Sequence, residues 1–157
     1  MAAPVFPPLL RDGDRLTRDE FMRRWEEMPF LKCADLIDGI VYILPVSDLH
    51  GRLRVLLGYW ASGYIAATPG CKAGIIGTWL MSEDSAPQPD LSLEIDPKRG
   101  GQSRIEGEYR AGAPELAVEI SQTGSTIDMG AKLRLYERSR VLEYVTLQPR
   151  QHQIIWY

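Results

Sequence analysis

One stretch constrains the architecture of this chain more than any other: PELAVEISQTGSTIDMGAKLRLY, residues 114–136. Its first half alternates, with Leu116, Val118 and Ile120 on one face of an extended segment and Glu115, Ala117, Glu119 and Ser121 on the other. A carboxylate, Glu119, therefore falls mid-strand, where burial is expected. The second half changes to helical spacing, with Met129, Leu133 and Tyr136 following Ser125 as N-cap and Asp128 at the capping-box position. Lys132 lies one turn beyond Asp128 and one turn before Tyr136. A strand with an inward acid, a Gly-containing turn and a helix returning a lysine toward that acid make a plausible site, provided the rest of the chain supplies its other half.

The other segments supply a sheet and further helices. Residues 17–28 read as a helix, opened by Thr17 with Glu20 and striped by Phe21, Trp25 and Met28. Asp38-Gly39 between Ile37 and Ile40 is a two-residue hairpin signal, because a type I′ turn needs positive φ at both central residues. Ser47 or Asp48 caps a second helix to about Tyr64, whose stripe Leu49, Leu53, Leu56 and Trp60 is expected to pack on a sheet, with Arg52 and Arg54 elsewhere. Residues 71–81 read as a strand broken by Gly74 and Gly77. In APQPDLSLEID, Leu91, Leu93 and Ile95 share one face and Asp90, Ser92 and Glu94 the other, with Pro89 holding the chain extended. Residues 97–112 form a polar loop with a short hairpin around 105–109, and strands at 141–147 and 153–157 pair at the end. Residues 1–15 read as a Pro-rich, poorly ordered arm, and residues 16–157 as one domain.

Charge and composition narrow the function classes. A formal charge of −3 over 157 residues opposes a protein devoted to tight non-specific nucleic-acid binding, while leaving room for a local basic groove. Cys33 and Cys71 form no paired framework, and with His50 and His152 scattered singly no zinc spacing exists; both cysteines are expected reduced and buried. No apolar run approaches the roughly 20 residues of a membrane span, and MAAPVFPPLL lacks an export signal's pattern, so a soluble cytoplasmic protein is expected. A Gly-Lys-Ser/Thr phosphate loop, a Gly-x-Ser-x-Gly elbow and a dinucleotide fingerprint are all absent.

Asp90 and Glu119, each on the polar face of a strand, form with a main-chain carbonyl at Ile120 a hard-oxygen set suited to Mg²⁺, with Mn²⁺ as an alternative. A lysine beside such a metal can orient or deprotonate an attacking water and offset phosphate charge, which is the logic of metal-assisted phosphodiester hydrolysis. Pro89-Asp90 and Glu119-Ile120-Ser121 then match the PD-(D/E)XK nuclease pattern, with Ser121 where its lysine would stand and Lys132 as the migrated replacement.

In detail the chain resembles the Uma-two family of restriction-endonuclease-like proteins within that superfamily. LTRDEF, ADLIDGIVY, His50 opening a helix, PQPD, PELAVEIS, DMGAKLRLY and VLEYV carry the resemblance, in order, from about Leu16 to Tyr157. It implies an α/β fold with a restriction-endonuclease-like core: a central mixed β-sheet flanked by helices, with an N-terminal helix and β-hairpin. In the expected sheet the hairpin lies beside the Trp79, Asp90, Glu119 and Tyr144 strands. The resemblance implies an Mg²⁺-dependent endonuclease acting on DNA, with Asp90 and Glu119 on metal, Lys132 serving water and phosphate, and Asp35 and His50 as auxiliaries. It also implies a homodimer, because two strands need two sites. Departures are Asp35, where the family usually has glutamate, and Val145 and Gln148, where it usually has tryptophan and an acid.

Each residue has a plainer explanation. Asp90 can be a turn acid and Glu119 a half-exposed strand residue. Asp128 serves as a helix cap, and Lys132 can be a solvated lysine paired with it at i, i+4. His50 can be structural, and Asp35 can face the site or solvent. Tyr136 belongs to the core, packing on Lys132. The pairs Arg52-Arg54 and Lys98-Arg99 can touch a phosphate backbone or merely be solvated. The alternative function is a degenerate member of the fold working as a binding or regulatory module.

Overall fold

The computed structural model describes residues 8–121 and 127–157. Helix α1, Arg18–Glu26, begins where Thr17 accepts a hydrogen bond from the Glu20 amide, and Phe21 is its buried anchor. The hairpin of β1, Asp35–Ile37, and β2, Ile40–Tyr42, turns through Asp38 and Gly39, both at positive φ, as the sequence requires. Helix α2, Asp48–Ala67, is capped by Ser47. Strands β3, Cys71–Gly74, β4, Trp79–Leu80, and β5, Leu91–Ile95, follow. Next come β6, Arg104–Glu106, β7, Tyr109–Ala111, and β8, Leu116–Ile120. A π-helical segment, Ile127–Lys132, runs into α3, Leu133–Arg138, and the chain continues through β9, Glu143–Gln148, and β10, Gln153–Trp156.

The central mixed sheet has the order β10-β9-β8-β5-β3, parallel only between β8 and β9. The hairpin and Trp79 strand are not part of it, contrary to the sequence expectation. The hairpin is a sheet of its own, and β4 joins β7 and β6 in a third. For the Trp79 strand the break falls at the two glycines, since the chain leaves the central sheet at Gly74 and enters the third sheet at Trp79, just past Gly77. Ile76 in that crossing sits at φ 56, a conformation that costs a β-branched residue strain. At the far end of β5, Gly101 lies so close to the Ile95 carbonyl that any Cβ would overlap it.

The period-two pattern of β8 sorts the two layers. Leu116 and Val118 join Leu91, Leu93, Val145 and Ala61 under α2, while Ala117 packs with Leu135, Tyr136, Tyr144 and Ile37 on the opposite face. Glu119 shares the parity of Ala117 and so faces the α3 layer. A separate cluster joins Phe21, Leu36, Val41 and Leu80, and takes in Leu10. Leu10 is buried and Arg15 bridges Ile40, so the described part of the N-terminal stretch packs against the domain.

The face of α2 that meets the sheet differs from the expected one. Leu57, Ala61 and Ile65 point inward, on one helical row with His50 and Arg54, whereas Leu49, Leu56 and Trp60 are exposed. Apolar residues occur all round this helix, so hydrophobic spacing alone could not select the buried side. Helix α3 is also shorter than expected. Its first turn is π-helical, which leaves Met129 exposed and turns Asp128 and Lys132 inward. The expected Ser125 cap lies outside the described residues.

Candidate active site

Asp90 stands one residue before β5, held extended by Pro89. Continuing the antiparallel β5–β8 register one step beyond Leu91↔Val118 places it opposite Glu119. Both carboxylates are buried, at 3% exposure each. Asp90 Oδ2 accepts the Ile120 amide at 2.7 Å, a backbone bond that fixes the acid against the end of β8. Its Oδ1 faces two donors from α2: His50 Nε2 at 2.7 Å and Arg54 Nε at 2.5 Å. Burial alone would raise the carboxyl, but the His50 hydrogen bond and charge, the Ile120 amide and Arg54 together hold it below its ordinary range.

The other half of the site is organised by Lys132. Its ammonium is buried 2.9 Å from Asp35 Oδ2, 2.9 Å from Glu119 Oε1 and 3.8 Å from Asp128 Oδ1. Desolvation works against the charge, yet Asp35, Glu119 and Asp128 overcome it and hold the amine protonated well above its ordinary pKa. Asp35 is in turn fixed through Oδ1 by the Gln88 amide at 2.6 Å. Tyr136 donates its hydroxyl to Glu119 Oε1 at 2.7 Å, and Tyr144 donates to the Asp128 carbonyl at 2.8 Å. Burial raises the Glu119 carboxyl well above its ordinary range; Lys132 opposes that rise, and the nearby charges of Asp90, Asp128 and Asp35 reinforce it.

Asp35, His50, Arg54, Asp90, Glu119, Asp128 and Lys132 open onto one cavity of about 70 Å³, room for a few waters, which Ile76, Ile120 and Cys33 also line. Acids outnumber cations on its wall: Asp35, Asp90, Glu119 and Asp128 against Arg54 and Lys132. That surplus, and the hard oxygens of Asp90, Glu119 and the Ile120 main chain, fit a divalent cation. An ion using Asp90 Oδ1 or Glu119 Oε1 would exchange with donors now held there, and among the described residues no three His, Cys, Asp or Glu side chains converge as a ready ligand set.

The structure brings together every side chain singled out for the site: Asp90, Glu119, Lys132, Asp35 and His50. It decides Asp35 toward the site rather than solvent, and makes Tyr136 a hydrogen-bond partner of Glu119 as well as a core residue. Asp128, expected only to cap a helix, is buried beside Lys132. Arg54, read as a phosphate-backbone contact or a solvated cation, pairs with Asp90 at the cavity wall, a contact that its spacing of four from His50 on one helix could have signalled. Arg52 instead pairs with Asp48 at the surface, and Lys98 and Arg99 lie beyond the far end of β5. Cys33 and Cys71 are free and half-buried rather than buried.

A family model described as "Uma2: Putative restriction endonuclease" matches residues 18–157. Among solved structures, the fold is similar to that of a "putative nuclease belonging to DUF820" from Anabaena variabilis ATCC 29413. That similarity has a TM-score of 0.70 at 16% identity, over 90% of this chain and 79% of the other. No curated protein matches the chain.

Proposed function

The chain belongs to the Uma2 family of restriction-endonuclease-like proteins, and from that membership we propose that it is a metal-dependent endonuclease acting on DNA. The observation that carries this reading is the convergence of buried Asp90, Glu119 and Lys132 on one acidic cavity. Asp90, Glu119 and the Ile120 carbonyl would hold Mg²⁺ or Mn²⁺, which supplies charge neutralisation at the scissile phosphate and acidifies a nearby water.

The chain's own residues do the remaining work. Lys132 Nζ orients the attacking water and donates to a phosphate oxygen, while Asp35 and Glu119 fix the ammonium in place. Tyr136 holds the Glu119 carboxylate, and His50 holds Asp90 from the opposite side. Arg54, at the cavity wall, can transfer its guanidinium from Asp90 to a phosphodiester oxygen. Water attacks phosphorus, one P–O ester bond breaks, and the leaving oxygen takes a proton, giving an alcohol and a phosphate monoester. Two-strand cleavage would use a homodimer, and a cytoplasmic setting matches unpaired cysteines and the lack of any helix, among the described residues, able to cross a membrane.

Plasmid nicking tests this reading. Supercoiled DNA should be cut with Mg²⁺ or Mn²⁺, and not after chelation or in Asp90→Ala, Glu119→Ala or Lys132→Ala variants. Cutting that survives Asp90→Ala and Glu119→Ala would overturn it. One observation favours a second reading, a binding or regulatory module on the same fold: Asp90 already has both oxygens occupied by protein donors. Metal binding without cleavage of DNA or RNA would favour that module.

A further inference from the structure

We propose that the outward face of α2 is a self-association surface, on which a second copy of this chain docks its own α2 about a two-fold axis. This assigns a surface to the homodimer proposed above, and it stands independently of the phosphodiester chemistry. A helix apolar all round belongs in an interior. Here the row Leu57, Ala61 and Ile65 packs into the core on the sheet, with Arg54 and His50 turned toward Asp90. The opposite side leaves Leu49 45%, Val55 71%, Leu56 63%, Tyr59 82%, Trp60 47% and Tyr64 44% exposed. Spacings of three and four residues make these side chains neighbours along one side of the helix, and Trp60 and Tyr64 stack with ring centroids 5.9 Å apart.

Area and charge identify the occupant. These six side chains expose on the order of 700 Å², beyond the patches of about 300–600 Å² typical of a monomer and close to the roughly 800 Å² each partner contributes to a standard interface. Within residues 55–67 no side chain is charged. The charges on the outward side are Asp48 and Arg52, paired with each other at 2.7 Å near the helix start. Beyond that neutralised pair, the face offers a nucleic acid no cation and a charged protein partner no counter-charge. It complements another surface with the same absence of charge, and an isologous two-fold contact places one against the other. Antiparallel crossing near Leu56 and Tyr59 leaves each Asp48–Arg52 pair at the rim, where polar groups remain hydrated. The aromatic rings then form the desolvated centre.

Sedimentation velocity over a concentration series tests this with the full chain. Wild type is expected to populate a species of twice the 17.7 kDa chain mass. Tyr59→Glu and Leu56→Glu, both at exposed positions, are expected to weaken the dimer at least 100-fold while circular dichroism stays unchanged. As a second measurement, Tyr59→Cys in a Cys33→Ser, Cys71→Ser background is expected to cross-link to a dimer under mild oxidation. A wild type monomeric throughout, including one that instead co-sediments with neutral phosphatidylcholine vesicles, would overturn the proposal. So would a dimer that Tyr59→Glu and Leu56→Glu leave intact. Loss of DNA cleavage alongside an intact α2-dependent dimer would count against the hydrolase reading and leave this one standing.

Discussion

Replacing Lys132 by methionine removes one cation from a site where three carboxylates face it, two of them at 2.9 Å. At an effective dielectric of about 20, each contact at that distance is worth about 6 kcal/mol before desolvation. Burying the ions cancels most of that gain, but removing one partner leaves the others uncompensated, at a typical cost of about 3–5 kcal/mol. Against a domain stability of about 5–15 kcal/mol, the variant should stay folded but markedly weakened. The loss should also depend on pH in a defined direction. Burial and the neighbouring acids already raise the Glu119 carboxyl, and without the ammonium that opposes them its folded pKa moves further above the unfolded carboxylate range of about 4. A raised acid pKa means that the folded state binds more protons, so the variant's stability increases as pH falls from about 8 to about 5. Urea denaturation at the two ends of that range measures both effects. A loss below about 1 kcal/mol at the higher pH, the value of an exposed ion pair, or a loss with no pH dependence, would refute the assignment of Lys132 as the buried counter-ion of these acids.

Other outcomes follow from the same contacts. Tyr136→Phe removes the hydroxyl donated to Glu119 and should cost about 1.5–3 kcal/mol by urea denaturation, as for hydrogen bonds to charged groups. Arg54→Leu frees Asp90 Oδ1 of one competing donor, so Mn²⁺ should bind more tightly by calorimetry while fluorescence anisotropy shows weaker DNA binding in Ca²⁺; unchanged affinity for both would show that Arg54 takes no part in exchange. Because the Asp90 carboxyl is held low, its stabilisation is full above the unfolded value of about 3.9 and is lost as pH falls through the folded value. Asp90→Asn should therefore flatten the acid limb of the stability profile. Gly101→Ala should lower the melting temperature, since the Cβ has no room beside the Ile95 carbonyl.

What the sequence made legible was whatever depended on local spacing. Asp38-Gly39 demanded positive φ and obtained it, Thr17 and Ser47 capped the helices they precede, and alternation in β8 put Glu119 on the face opposite Leu116 and Val118. Spacing also picked out Asp90, Glu119 and Lys132, which the fold brings together on one cavity. It failed where selection was non-local. The buried row of α2 is set by which side meets Leu91 and Val118, and a helix with apolar residues all round does not reveal that. Whether the hairpin extends the central sheet is likewise a pairing decision between distant segments, and here Leu36 of β1 forms an isolated bridge to Ala86. The inward turn of Asp128 follows from a π-helical turn, whose wider hydrogen-bond spacing no capping pattern records.

The proposal that Asp90 and Glu119 jointly hold a divalent ion is decided by calorimetric titration of wild type with Mn²⁺ and Mg²⁺ beside Asp90→Ala and Glu119→Ala. Saturable binding of one ion per chain, abolished by either substitution, is expected. Absence of saturable binding in wild type, or binding that persists in both variants, would contradict it.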